Sequence, residues 1–214
     1  MRTLFIIAGL LSFFSCKKES GSIKDKNFRH TDSIITDTIT IDSPKSLSPI
    51  ESIRKKYAVL NNLLTTKKLD SVKFEYSCNN ERSGKVVFYS DQEGIKVIQH
   101  SYAEYSHFSS IENYYIENNE PFFIFREDTS WNFDGGTPEK PIIKDNISEQ
   151  RIYLQHGKAI KCLEKKYTKR SNTPHNPDPQ KIASKEINCS AEELLKAYEL
   201  LIRNSEKRGE IQCL

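Results

Sequence analysis

Polar and apolar residues alternate along short runs between residues 72 and 163, and turn-forming residues separate these runs. Residues 73–77 alternate strictly, which is typical of a strand with one solvated face. Sixteen of the chain's twenty-two Phe, Tyr and Trp residues lie between residues 74 and 167. Aromatic and β-branched side chains favour strands, so we expect this region to form a β-sheet.

The same pattern gives the order of the strands. It predicts strands at residues 73–77, 85–90, 95–98 (continuing less clearly through Tyr102), 111–116, 122–126, 150–154 and 158–163. Short turns join most of them, and this favours an antiparallel meander over a parallel sheet. Residues 127–147 lack a clear apolar alternation and are predicted to form a loop that contains Trp131 and Gly135-Gly136.

Helical periodicity occurs on both sides of this region. Ser48, Pro49 and Glu51 form a capping-box pattern, and the apolar residues that follow recur at steps of three and four: Ile50, Ile53, Tyr57, Leu60 and Leu64. We interpret this as a helix packed on the sheet, with a membrane-surface helix as the alternative. A polar loop at 168–188 precedes a second capping box at Ser190, which begins a helix that should end before Gly209.

These elements predict an α+β domain over residues 48–208. We expect six to eight antiparallel strands in a meander, packed with an N-terminal and a C-terminal amphipathic helix. Residues 17–48 are rich in Ser, Thr, Asp and Lys, and we interpret residues 16–47 as a flexible tether. Residues 34–41 alternate in part and could instead add an edge strand.

Arg2 precedes an apolar run at residues 4–14, which is followed by Ser15-Cys16 and then by Lys17-Lys18-Glu19. The run is too short to cross a bilayer, so residues 1–15 are predicted to be a signal peptide. The segment resembles the lipoprotein signal of bacteria, especially the looser form found in the Bacteroidota. The resemblance implies that Cys16 is diacylated and anchors the protein in the outer membrane, facing the periplasm or the exterior. An ordinary secretory signal and a short anchor are the alternatives.

Four cysteines remain after Cys16, and an oxidising compartment makes disulfide bonds the expectation. Pairing Cys189 with Cys213 is unattractive because the helix between them would separate the two ends. We prefer Cys162 with Cys189, which closes the long polar loop, and Cys78 with Cys213 as the complement. Free buried thiols are the alternative.

Neither the charge distribution nor the sequence motifs indicate a particular catalytic activity. The formal net charge is +3, and basic and acidic residues are interleaved, so no nucleic-acid partner is expected. The sequence lacks the GxSxG, HExxH and phosphate-loop signatures, and we predict no catalytic residue, cofactor or metal. Asp128, Ser130, Asn132 and Asp134 alternate in a way that faintly suggests a calcium loop, but the glycine and glutamate positions are wrong.

Aromatic side chains are the candidate binding residues. Neighbours on a strand point to opposite faces, so one set fills the core and the other can form an exposed binding surface. The candidates for that surface are Tyr114, Tyr115, Phe123, Phe125 and Trp131. The alternative is that two helices cover both faces. His100 and His107 are both predicted to be surface residues.

Two hairpins share a loose pattern, Tyr114-Tyr115-x-x-Asn118 with Phe123-x-Phe125, and Arg151-x-Tyr153 with Gly157-Lys158-x-Ile160. In these residues the chain resembles uncharacterised Bacteroidota lipoproteins and, more loosely, MORN-like hairpin repeats, which implies a sheet but no activity. Residues 74–78 resemble the Tyr-x-Cys opening of periplasmic lysozyme inhibitors.

We therefore expect a membrane-anchored, non-catalytic binding module for an envelope protein, a glycan or an apolar ligand. An inhibitor of an envelope-directed enzyme such as lysozyme, and a lipid or lipoprotein carrier, are the alternatives.

Overall fold

The computed structural model describes residues 47–214. The predicted signal peptide at 1–15, the lipidation site Cys16 and nearly all of the predicted tether lie outside these residues. The described part contains one sheet and two α-helices, which confirms the α+β class.

Nine strands form the sheet: β1 (Asp70–Cys78), β2 (Arg82–Asp91), β3 (Gly94–Glu104), β4 (Phe108–Glu117), β5 (Glu120–Thr137), β6 (Lys140–Gln155), β7 (Lys158–Arg170), β8 (Lys185–Ile187) and β9 (Gly209–Ile211). Strands β1 to β7 lie in chain order, and each is antiparallel to the next. Strand β8 pairs antiparallel with β7 at one edge, and β9 pairs parallel with β1 at the other. The sheet has more strands than the six to eight predicted. The two edge strands were not predicted because three residues are too few to show a period of two. Strand β9 also extends the domain beyond residue 208.

The predicted loop at 127–147 is wrong, because β5 and β6 run through it. The alternation of Asp128, Ser130, Asn132 and Asp134 is the two-residue period of a strand. Residues 132–143 form a two-stranded hairpin, the ribbon, that extends past its neighbours. Strand β4 begins at Phe108, opposite Ser130, and β7 ends at Arg170, opposite Lys144. The ribbon has few apolar residues to bury, so the sequence shows no amphipathic strand pattern there.

The first helix, α1 (Pro49–Thr65), begins with the predicted capping box. Ser48 Oγ accepts a hydrogen bond from the Glu51 N–H, and the Glu51 carboxylate accepts one from the Ser48 N–H. The second helix, α2 (Glu192–Arg203), lacks the predicted box. Its N-cap is Ala191, and Ser190 Oγ accepts instead from the Glu192 N–H at 3.2 Å. The helix therefore starts one residue later than the sequence pattern predicts.

The two helices contribute to two separate apolar clusters that use alternate residues of the same strands. Ile53 of α1 belongs to the first-face cluster with Val97, Tyr115, Phe122, Phe123 and Tyr153. Leu194, Tyr198 and Leu201 of α2 belong to the larger second-face cluster, which includes Phe74, Val86, Ile98, Tyr114, Ile124 and Ile152. Each face of the sheet therefore carries an apolar cluster that includes one helix, which agrees with the interpretation that helices cover both faces.

Both disulfide bonds fasten an edge of the sheet. Cys78, the last residue of β1, is bonded to Cys213, two residues after β9. Cys162 of β7 is bonded to Cys189, two residues after β8. These are the two pairs that the sequence favours. Each bond holds a three-residue edge strand against a long strand, so the sheet edges there are covered.

Candidate functional site

The candidate site lies on the first face, where cross-strand neighbours form rows. One row contains Val97, Tyr115, Phe123 and Tyr153, and the next contains Gln99, Asn113, Phe125 and Arg151. Helix residues Arg54, Tyr57, Asn61 and Leu64 face these rows. The space between them, here called the helix cleft, has a volume of about 470 Å³, within the range of small-ligand sites.

The floor of the helix cleft is aromatic. The Tyr57 ring packs edge-on against Tyr115 and Phe123, with centroid distances of 4.9 and 5.0 Å. Phe123 also contacts Tyr153 at 5.1 Å. Tyr115, Phe123 and Tyr153 are buried, whereas Tyr57 is half-buried. Burial raises the pKa of Tyr115 above its usual range, which keeps its hydroxyl neutral. The floor is thus a rigid apolar surface.

Amide side chains line one wall of the helix cleft. Gln99 Nε2 donates a hydrogen bond to Asn113 Oδ1 at 3.1 Å. Within residues 47–214, the Gln99 side-chain oxygen and the Asn113 side-chain nitrogen make no other hydrogen bond. One acceptor and one donor therefore remain available beside the aromatic floor.

Two arginines complete the helix cleft. The Arg151 guanidinium carbon lies 5.2 Å from the Phe125 ring centroid, and Arg151 Nη2 donates to Glu149 Oε2 at 3.0 Å. The Arg54 guanidinium carbon lies 5.9 Å from the Tyr153 ring centroid. Burial would raise the pKa of Glu149, but hydrogen bonds from Lys165, Tyr167 and Arg151 outweigh it and lower that pKa. Glu149 therefore stays charged and orients Arg151.

The five aromatic residues predicted as a binding surface do not share one. Tyr114 is fully buried on the second face, and Tyr115 and Phe123 are buried beneath α1, so these three were wrongly assigned to an exposed surface. Strand alternation separates Tyr114 from Tyr115, and α1 covers the latter. Phe125 is half-buried in the helix cleft. Trp131 lies beside the ribbon.

Trp131 forms a second, smaller aromatic group. Its ring centroid lies 4.0 Å from that of His107 and 5.5 Å from that of Phe133. Phe133 is 62% exposed. Six residues of extended strand separate Phe125 from Trp131, about 20 Å, so this group is distinct from the helix cleft.

His100 is not a surface residue, contrary to the prediction, because it is buried on the second face. The Tyr76 hydroxyl and His100 Nε2 are hydrogen-bonded at 2.9 Å, and His100 Nδ1 lies 3.5 Å from Glu112 Oε2. Burial would raise the pKa of Glu112, but the nearby His100 ring and the hydrogen bond from the Tyr114 hydroxyl lower it. The signal was present in the sequence: His100 occupies the same alternation as Ile98. His107 is exposed, as predicted.

Gln99, Asn113, Arg54 and Arg151 are the site residues that the sequence analysis missed. Polar side chains on a strand are ordinarily solvated, so only knowledge of which rows lie beside α1 identifies them. The described residues contain no cluster of three or more His, Cys, Asp or Glu side chains placed to hold a metal ion. In the same part of the chain, neither helix has the length and apolar character needed to span a bilayer.

Comparisons with protein-family models, with curated proteins and with solved structures gave no match to this chain.

Proposed function

We propose that this protein is a non-catalytic binding module of the bacterial envelope and that its ligand is a saccharide bound in the helix cleft. The scaffold is an antiparallel meander with an N-terminal and a C-terminal helix. The observation that carries the proposal is the pairing of an aromatic floor with free amide groups in one open cavity of about 470 Å³.

A saccharide matches both features. The C–H face of a sugar ring can pack against the half-buried rings of Tyr57 and Phe125, and its hydroxyls need donors and acceptors that replace water. Five of the eleven residues lining the cleft are polar: Arg54, Asn61, Gln99, Asn113 and Arg151. An acyl chain would leave those groups without partners, which disfavours the carrier alternative.

An envelope location fits this ligand class. The apolar run before Cys16 supports export and lipid attachment to the outer membrane, and a tether of about thirty residues gives a mean reach of roughly 30 Å. The two disulfide bonds support an oxidising compartment. A module held in this way would meet glycans of the envelope or of its surroundings.

The test is binding of the full chain to an array of immobilised neutral and acidic oligosaccharides, followed by titration calorimetry with the strongest hits. We expect Asn113→Ala to weaken binding by about five- to twentyfold, because it removes one of the free amide groups. Phe133→Ala, at the distant ribbon, is the control and should bind as the unmodified protein does. The proposal fails if no saccharide binds, or if Phe133→Ala and Asn113→Ala weaken binding equally.

The ribbon supports a second candidate, an inhibitor of an envelope-directed enzyme. It extends past β4 and β7 and carries the exposed ring of Phe133, which is suited to insertion into a cleft of a larger protein. Lysozyme activity measured with increasing amounts of the full chain tests it. Inhibition that is lost in Phe133→Ser would favour this function, whereas unchanged lysozyme activity would reject lysozyme as its target.

A further inference from the structure

The charge distribution of the helix cleft points to an acidic saccharide: we infer that Arg54 and Arg151 together bind a carboxylate or sulfate group of the ligand. The inference rests on the proposed function, because it presupposes a saccharide in this cleft, and it adds the charge class of that saccharide.

The lining of the helix cleft is positive although the chain as a whole is nearly balanced. The sequence has 32 Lys and Arg residues against 29 Asp and Glu residues. The eleven lining residues, in contrast, include two arginines and no carboxylate. A local excess of one charge in a partly desolvated cavity favours a ligand of the opposite charge.

Arg151 is held in place but not fully satisfied. Its Nη2 group donates to Glu149, and its guanidinium lies over the Phe125 ring. Within residues 47–214, its buried Nη1 group has no hydrogen-bond acceptor. Leaving such a buried donor without an acceptor is unfavourable. Because this nitrogen is inaccessible to solvent, it gains an acceptor only if the guanidinium turns toward an anionic group that enters the cleft beside Arg151.

Glu149 does not cancel the positive charge of the cleft. The same carboxylate lies 3.2 Å from Lys165 Nζ and also accepts a hydrogen bond from the Tyr167 hydroxyl. Two cations thus share one carboxylate. Glu127, its neighbour across β5 and β6, has a raised pKa because it is partly buried and close to Glu149.

Arg54 is the second arginine of the pair, and no ion pair with a described residue fixes its position. It is exposed on α1. Its guanidinium lies beside Tyr153, two residues along β6 from Arg151 and on the same face. Two guanidinium groups on one side of a cavity can hold a planar carboxylate or a sulfate through charge-assisted hydrogen bonds.

Titration calorimetry of the full chain with tetragalacturonate and with its fully methyl-esterified form tests the inference, because esterification removes the charge while the sugar rings and their hydroxyls stay the same. We expect the acid to bind about tenfold more tightly than the ester at low salt, with the difference shrinking as salt is added. Arg54→Gln should weaken binding of the acid more than binding of the ester and so abolish most of this preference. Lys55→Gln, the adjacent cation on the helix, is the matched control and should keep the preference.

The outcomes separate the two proposals. Equal affinities for acid and ester, or equal effects of Arg54→Gln on both, would overturn the acidic-ligand inference while leaving saccharide binding intact. Absence of binding to both probes and to every oligosaccharide of the array would overturn the proposed function itself. The same titration with a sulfated tetrasaccharide of the same length identifies the anionic group. Arg54 and Arg151 should bind more tightly the group, carboxylate or sulfate, that the natural ligand carries.

Discussion

The Tyr114 hydroxyl donates a 2.6 Å hydrogen bond to Glu112 Oε2, and both side chains are buried on the second face of the sheet. The Tyr102 hydroxyl donates to the other carboxylate oxygen at 3.3 Å. A buried carboxylate is tolerated only when such donors replace the water that it has lost. These tyrosines therefore maintain the charge of Glu112 within the sheet.

Replacing Tyr114 by Phe removes the shorter of these two bonds while keeping the ring. Because the acceptor is charged and buried, we expect the free energy of unfolding to fall by about 1.5–3 kcal/mol, measured by urea denaturation. Tyr198→Phe is the comparison, since the Tyr198 hydroxyl donates to the neutral carbonyl of Asn119 at 2.8 Å. That variant should lose only about 0.5–1.5 kcal/mol. Equal losses would mean that Glu112 is not charged in the folded protein.

The lowered pKa of Glu112 makes stability depend on pH. A carboxyl whose pKa is lower in the folded protein adds stability above its unfolded pKa, here 4.5, and that stability is lost as pH falls through the folded pKa. We expect Glu112→Gln to flatten the decline of the unfolding free energy below pH 4.5. Glu75→Gln is the control, because Glu75 is exposed and forms no ion pair with any described residue. Identical slopes for Glu112→Gln and the unmodified protein would contradict the prediction.

Gly84 provides the space for Tyr76, its direct partner across β1 and β2. A Cβ atom at residue 84 would lie 2.6 Å from the Tyr76 hydroxyl oxygen and 2.7 Å from two ring carbons. Gly84→Ala should therefore displace the ring, weaken the bond between Tyr76 and His100, and reduce stability by about 1–3 kcal/mol. Ser83→Ala, one residue away and exposed, should change stability little. Thermal unfolding followed by circular dichroism compares the two variants.

The two disulfide bonds should differ in their contribution to stability. They connect residues 135 and 27 positions apart, and the entropy of closing these loops gives upper values of about 5 and 3.5 kcal/mol. We expect the Cys78→Ser/Cys213→Ser double variant to be less stable than Cys162→Ser/Cys189→Ser. Denaturation midpoints in urea measure the difference. A reversed order would show that loop length does not govern these bonds.

Sequence patterns between neighbouring residues predicted the first helix and most of the long strands. The capping box of Ser48 and Glu51 fixed the start of α1, and apolar alternation located strands β1 to β7 approximately. The ribbon was not predicted because both of its faces are largely solvated, so its strands carry no apolar alternation. Strand β9 was not predicted because its pairing with β1 depends on contacts between residues that are distant in sequence.

The helix cleft was predictable only in part. Phe125, a candidate from its aromatic side chain, lines the cleft, but Gln99 and Asn113 become neighbours only through the register of β3 and β4. Register is set by long-range packing as well as by turns, and a shift of one residue would move Gln99 to the other face. Which helix lies over which face was therefore the missing information.

The pairing of β1 with β9 also has a consequence for biogenesis. Among the described residues, the outer edge of β1 is covered only by residues 209–211. Cys213, which is bonded to Cys78 of β1, is synthesised 135 residues after it. At the usual rate of about 5–20 residues per second, β1 exists for roughly 7–27 seconds of synthesis before that partner is available. During this interval an unpaired edge can join another chain. Keeping the nascent chain apart from its copies during this interval is therefore a task for chaperones.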